Sequence, residues 1–352
     1  MLQSVASHGY LRLMICSIRH IVFRLNLFIL LSLPMFCFGQ DLHFSQYYLH
    51  PMDLSPAACG IFEGDLRISA AYRSQWRNVP VNYQTFMGSV DWKAFEKGNN
   101  LVSLGLLFDR DEAGDAGLSW LQIQPTVALA HALGEQHVLS VGFGLAFVQR
   151  SFDIGALTFK NQWGGDVFDP GLPSGENFNA SSKLAASLST GLLWYYRQND
   201  SRTEMTLGTA LAHANRPVVS LGDFSERLAF RTSTFLSSYW QLGERNDLFL
   251  SAAYQQMAKA RELVFGTGLR YILSTGLANE SSVQGSISYR IGDAIVPAVQ
   301  FSRNNWTIGL SYDINISAFN EATNGKGGIE IAAIWRRVPV PEFKTVKICP
   351  VF

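Results

Sequence analysis

From residue 65 to residue 337 the apolar side chains return at every second position, in runs of roughly ten residues. In "HVLSVGFGLAFV", Leu139, Val141, Phe143, Leu145 and Phe147 share one face, while Ser140, Gly142, Gly144 and Ala146 share the other. In "NNWTIGLSYDIN", Trp306, Ile308, Leu310 and Tyr312 alternate with Thr307, Gly309, Ser311 and Asp313. A period of two belongs to a strand, whose successive side chains point to opposite faces. Helical periodicity is nearly absent.

The pattern predicts fourteen strands, near 65–75, 83–93, 100–110, 118–131, 136–149, 183–196, 202–212, 227–241, 246–256, 262–273, 281–291, 294–303, 304–314 and 328–337. Most have about the length a tilted strand needs to cross a bilayer. The connections at 94–99, 132–135, 197–201, 242–245 and 274–280 are short, and those at 150–182, 213–226 and 315–327 are long. Outer-membrane barrels are built this way, with short turns on the periplasmic side and longer loops outside. One connection, at 292–294, breaks the alternation by being very short. An even strand count puts both ends of the barrel on the short-turn, periplasmic side.

The polar phase carries charge. In "GDLRISAAYRSQW", Ile68, Ala70 and Tyr72 are expected to face lipid, and Arg67, Ser69, Arg73 and Gln75 the lumen. Arg270, Arg290 and Asp313 fall in the same phase on later strands. A bilayer core leaves no backbone group unpaired, so a spanning sheet must close. An arginine on the lipid face at mid-bilayer would cost about 2–4 kcal/mol, so arginines confined to one phase argue for a lumen. A soluble sandwich with wet outer faces is the competing architecture. Only 16% of residues are charged, against about 25% in ordinary soluble domains. The 28 basic and 28 acidic residues balance, which gives no field for nucleic acid. The expected fold is all-β: a transmembrane antiparallel barrel of about fourteen strands, following a signal peptide.

The leader is read from Arg12, Arg19 and Arg24 ahead of the apolar run "LNLFILLSLPMFCFG". That run suits a secretory h-region and is short for a spanning helix. Cleavage after Gly39 would start the mature chain at Gln40. The expected organisation is 1–39 signal peptide, 40–64 periplasmic N-terminal segment, 65–337 barrel and 338–352 periplasmic tail. Cys16 and Cys37 leave with the leader, and Cys59 and Cys349 stand at opposite ends of the mature chain. An oxidising compartment permits a bond between them, and two free thiols are equally compatible.

No catalytic, metal-binding or cofactor-binding constellation stands out. "DRDEAGDAG" begins like a calcium loop, but Trp120 stands where an EF-hand needs an acid. His131, His137 and His213 lie near strand ends, and no Gly-x-Ser-x-Gly elbow occurs. The chain is therefore not expected to be an enzyme. Trp76, Trp92, Trp120, Trp194, Tyr195, Trp240 and Trp335 fall near strand ends, as in the aromatic belts of barrels.

The stretch "QDLHFSQYYLHPMDLSPAACG" followed by "AYRSQW", the segment from Ser311 to Glu330, and the ending "KICPVF" together resemble the PorP/SprF family of type IX secretion membrane proteins of Bacteroidota. Ser55 before Pro56 and Val351 in the tail depart from that family's usual asparagine and arginine. The resemblance implies an outer-membrane barrel serving type IX secretion or gliding motility. It implies help with export or surface anchoring of adhesin-type cargo, and contact with periplasmic ring and peptidoglycan-binding partners. It brings no catalytic residues.

Two function classes remain open: such an accessory barrel, or a pore or transporter for small or hydrophobic solutes. A pore needs a continuous wet path, whereas an anchor can be plugged. The ends bear on this. Pro51 and Pro56 break any strand near the start, and Pro339, Pro341 and Pro350 break one in the tail. Phe44, Tyr47, Tyr48, Phe343 and Phe352 are expected to form an aromatic docking surface for a partner. The alternative is that these ends plug the barrel.

Overall fold

The computed structural model describes residues 42–75, 83–114, 116–165, 167–176, 180–221, 225–276, 279–317, 320–323 and 325–339. The expected leader, Phe343, Phe352, Cys349 and Trp76 lie outside the described residues.

Fourteen antiparallel strands form one closed barrel. They are β1 Leu66–Gln75, β2 Tyr83–Lys97, β3 Asn100–Ala113, β4 Leu118–Ala132 and β5 His137–Ser151. Next come β6 Ser182–Arg197, β7 Glu204–Ala212, β8 Arg231–Gln241, β9 Asn246–Met257 and β10 Ala260–Gly276. β11 Asn279–Arg290, β12 Ala294–Arg303, β13 Trp306–Asn315 and β14 Lys326–Arg337 complete it. Each strand pairs with its neighbours in sequence, and β1 closes on β14 in the register Leu66↔Arg337 to Gln75↔Gly328. Every strand therefore finds two partners and no edge is left over. At the seam Arg337 donates twice to Asp65, at 2.8 Å each, and this guanidinium holds the exposed Asp65 carboxyl below its ordinary pKa.

The strands fall where the period of two places them, with two kinds of shift. β2 and β3 run past their expected ends, because tight hairpins keep polar residues paired beyond the apolar band. β8 starts at Arg231 rather than near 227. The preceding residues pair with their own loop, through a Val218↔Arg227 bridge and Val219 N–H on Glu226 C=O at 3.0 Å. The irregular connection after β11 is a tight hairpin over residues 291–293, closed by Gly292 at φ +72°.

The connections after β2, β4, β6, β8, β10 and β12 are all short and lie at one end of the barrel, the turn end; 152–181, 213–230 and 316–325 lie at the other, the loop end, together with the short hairpins after β9 and β11. β1 starts and β14 finishes at the turn end. Alternation holds along the wall. On β13, Trp306, Ile308, Leu310, Tyr312 and Ile314 are exposed while Thr307, Ser311 and Asp313 are buried. On β5, Val141 and Phe143 likewise face outward. Cysteine placed at Val141 or Phe143 is expected to react with a lipid-soluble maleimide and to resist a membrane-impermeant one. Equal aqueous labelling would contradict an outward, lipid-covered face.

Candidate functional site

The lumen is occupied by the chain's own N-terminal segment. Between Leu42 and Gly60 the backbone makes three short turns: Tyr47–Leu49, Pro51–Leu54 and Pro56–Ala58. Pro51 and Pro56 each sit at the first position of a turn, where the missing N–H costs nothing, and Ser55 Oγ accepts from Ala57 N–H. The result is a compact peptide, not a strand. Phe44, Tyr47, Leu49, Met52, Leu54, Ala57, Ala58 and Cys59 are all buried.

The wall is shaped to receive it. Tyr47, Leu54, Ala57 and Ala58 pack on Leu193, Phe235, Ala253 and Val264. Phe44 packs with Ala71, Met87 and Leu107, and Met52 and Cys59 with Ala128. These wall residues lie in the phase that should be wet. Two wall glycines let the backbones touch. A Cβ on Gly142 would stand 2.2 Å from Ala57 N and Pro56 C, and one on Gly191 2.1 Å from Ser55 Oγ.

A buried segment without regular structure must find partners for its backbone groups. Lumen-facing side chains supply them. Glu330 accepts from Ser45 N–H at 2.7 Å and Gln46 N–H at 2.8 Å. Arg231 donates to Asp53 C=O at 2.8 Å, Ser233 Oγ to Leu54 C=O at 2.6 Å and Ser140 Oγ to Ala57 C=O at 2.8 Å. Arg67 donates to Ala58 C=O at 3.1 Å, and Asp91 accepts from Gly60 N–H at 2.8 Å.

Two ionic clusters clamp the ends of the segment. Near the loop-side ends of β1, β11 and β13, Asp313 accepts from Arg73 at 2.6 Å, Arg290 at 2.9 Å and Ser45 Oγ at 2.7 Å. Arg290 also donates to Ser45 Oγ at 2.7 Å, Arg73 donates to His43 C=O, and His43 lies 3.6 Å from Glu262. At the turn end Arg67 holds Asp91 with two bonds, at 2.9 and 2.8 Å. The described chain therefore begins in the loop-end half of the lumen and leaves at the turn end, where Leu66 opens β1. These buried charges are paired and hydrogen-bonded, which is the condition for tolerating them away from water.

A family model for the type IX secretion system membrane protein PorP/SprF matches residues 36–332. The chain belongs to the PorP/SprF family. The chain is also similar, at low identity, to solved structures. The P. putida toluene transporter TodX is 11% identical, with 80% of this chain and 91% of that chain covered and a TM-score of 0.44. A Pseudomonas aeruginosa FadL homologue is 10% identical, with 80% and 92% covered and a TM-score of 0.43. The translocator domain of the autotransporter NalP from Neisseria meningitidis is 12% identical, with 77% and 88% covered and a TM-score of 0.32. No curated protein sequence matches the chain. Family and fold together make this an outer-membrane barrel of the type IX secretion system.

Within this PorP/SprF barrel, Arg67, Arg73, Arg290 and Asp313 are buried in the lumen and all four touch the plug or its partners. Arg270 also faces inward, but at the turn end, where it shares Asp247 with Arg202 and lies 3.9 Å over the Tyr239 ring. Gln75 is half-buried at the loop-side end of β1. The expected periplasmic placement of 40–64 does not hold for the described residues 42–60, which fill the lumen instead. Phe44 and Tyr47 are buried there, and Tyr48 packs edge-on against Phe249 at 4.8 Å, so these three rings are not a free docking surface. The reason is that the inward face is itself apolar at Leu193, Phe235 and Phe249 and offers the rings a drier site than solvent. Trp120 and Tyr195 likewise turn inward rather than joining an outer belt: Trp120 meets His213, and Tyr195 donates to Glu204 at 2.9 Å. Asp109 of the calcium-like stretch is buried in the β3–β4 hairpin beside Gln122, and no metal-binding group occurs among the described residues. Cys59 is a buried free thiol.

Sequence reasoning missed the wall residues that seat the plug. Their signal was present: large apolar residues at Met87, Leu107, Leu193, Phe235 and Phe249, and glycines at 142 and 191, all in the otherwise polar phase.

Proposed function

We propose that this protein is an accessory barrel of the type IX secretion and gliding machinery that helps export or surface-anchor adhesin-type cargo. It acts by binding and holding, with no catalytic step. Its periplasmic contacts, to the motor ring and peptidoglycan-binding proteins, are made at the turn end and by the tail that carries Phe343 and Phe352. The observation that carries the reading, beside family membership, is the filled lumen. A standing solute pore needs a continuous wet path, and here aromatic packing and two ionic clusters occupy it.

The test is deletion of Lys344 to Phe352, with folded barrel, cargo export and periplasmic pull-down measured together. Normal barrel with lost export and lost pull-down is the expected result. Normal barrel, export and pull-down would defeat the docking role of the tail. High solute conductance by the purified wild-type barrel would defeat the accessory reading itself.

A further inference from the structure

A second site lies outside the lumen, on the outer wall at the turn end. A notch of about 500 Å³ opens there, lined by Phe301, Arg303, Asn304, Trp306, Ile308 and Trp335 among others. The strand register orders its chemistry by height. Phe301 faces Ile308 across β12 and β13, and two residues closer to the turn Arg303 faces Trp306. Trp306 in turn faces Trp335 on β14, so two indoles and a guanidinium form one row. Two residues of strand rise about 6–7 Å, which sets the apolar pair deeper in the membrane than this row. Phe301, Trp306 and Ile308 are 44%, 54% and 50% exposed, so none of the described residues covers them.

The cation in this row is the informative residue. Arg303 is exposed and has no ion-pair partner among the described residues. Arg337, at the same end of the outer wall, is already neutralised by Asp65 at 2.8 Å. The backbone under Arg303 is tied down: Asn304 N–H donates to Glu280 C=O at 2.8 Å and Arg336 N–H to Asn305 C=O at 2.9 Å. Asn304 takes φ +50°, a left-handed turn position that asparagine tolerates. The guanidinium thus stands on a fixed hairpin, above an apolar wall, at the end of a row whose two indoles favour the membrane interface.

We propose that this notch binds a single glycerophospholipid of the leaflet at the turn end. Its phosphate accepts from Arg303, its glycerol region lies against Trp306 and Trp335, and an acyl chain follows Phe301 and Ile308. Planar guanidinium and phosphate match in shape and charge, and the surrounding low dielectric strengthens the bond. Neither the ligand nor the site takes part in the plug, so this proposal stands apart from the secretion reading.

The experiment is native mass spectrometry of the full-length barrel in a maltoside detergent. It is titrated separately with phosphatidylglycerol, with diacylglycerol of the same chains and with inorganic phosphate. One phosphatidylglycerol is expected to be retained at the lowest concentrations, and diacylglycerol is not. Arg303→Gln is expected to weaken retention about tenfold, as loss of a charge-assisted bond does, while Arg337→Gln leaves it unchanged. Heat-modifiable migration on gels confirms that each variant is folded. Equal retention by wild type and Arg303→Gln, or by phospholipid and diacylglycerol, would show ordinary annular lipid and overturn the proposal. Displacement of the lipid by inorganic phosphate would reduce the site to a free-phosphate site and overturn it as well. A protein partner captured through Arg303, with lipid retention unaffected, would reassign the notch.

Discussion

Gly142→Leu is expected to open the barrel. The wall of β5 meets the plug backbone at this residue, where even a Cβ would stand 2.2 Å from Ala57 N. That contact is with main chain, which cannot swing aside as a side chain would. Overpacking of a well-filled interior typically costs about 1–3 kcal/mol, and here the strain falls on a segment held at its ends, not on the hydrogen-bonded wall. The plug should therefore yield before the barrel does. In planar bilayers the wild-type protein is expected to stay silent and the variant to conduct. The outward-facing change Val141→Leu, one residue away, is expected to stay silent too, since Val141 faces outward. A folded Gly142→Leu barrel that is as silent as wild type, with residues 42–60 still protected from protease, would show that the contact does not hold the plug in place.

The second large effect is expected at Asp313. Its carboxylate takes bonds from Arg73, Arg290 and Ser45, and all of these groups are buried. Asp313→Ala would leave the buried Arg73 guanidinium with Glu330 at 3.9 Å, and that of Arg290 with Glu262 at 3.7 Å and the half-exposed Asp293 at 3.1 Å. Removing one partner of a buried ion pair typically costs about 3–5 kcal/mol. The midpoint of urea unfolding is expected to drop accordingly, and protease is expected to reach the plug at denaturant concentrations that leave the barrel folded. The exposed pair Asp65–Arg337 provides the contrast, because solvent screens it: Asp65→Ala should not shift the midpoint measurably. Identical midpoints for Asp313→Ala and wild type would mean that the cluster does not secure the segment.

Much of the wall was legible in the residue order. Ile68, Ala70 and Tyr72 against Arg67, Ser69 and Arg73 set both the strand and its two faces. A one-residue slip would turn every arginine into lipid, so the register is strongly specified. The identity of the arginines' partners was not legible. Arg73 meets Asp313 across 240 positions of sequence, and Ser45 meets Glu330 across 285. No local pattern relates such residues, because only closure of β1 on β14 brings them to the same height of the lumen. The tight hairpin after β11 was visible as a broken alternation of loop lengths. Its meaning became clear once β11 and β12 were seen in register from Ser281↔Arg303 to Arg290↔Ala294.

By itself the sequence determined that this chain is a closed, membrane-spanning antiparallel barrel with an apolar outside and a charged inside. A period of two and a strand length suited to a bilayer are local properties, repeated fourteen times with the same sense. Only the tertiary structure decided what fills the inside. The segment from Leu42 to Gly60 has no period, and its prolines exclude a strand without naming an alternative. Its place depends on volume and on groups drawn from most of the strands: Gly142 and Gly191 making room, Leu193 and Phe235 offering apolar surface, and Glu330, Asp91 and Arg231 satisfying its backbone. Those are non-local terms, and they exist only after the barrel has closed.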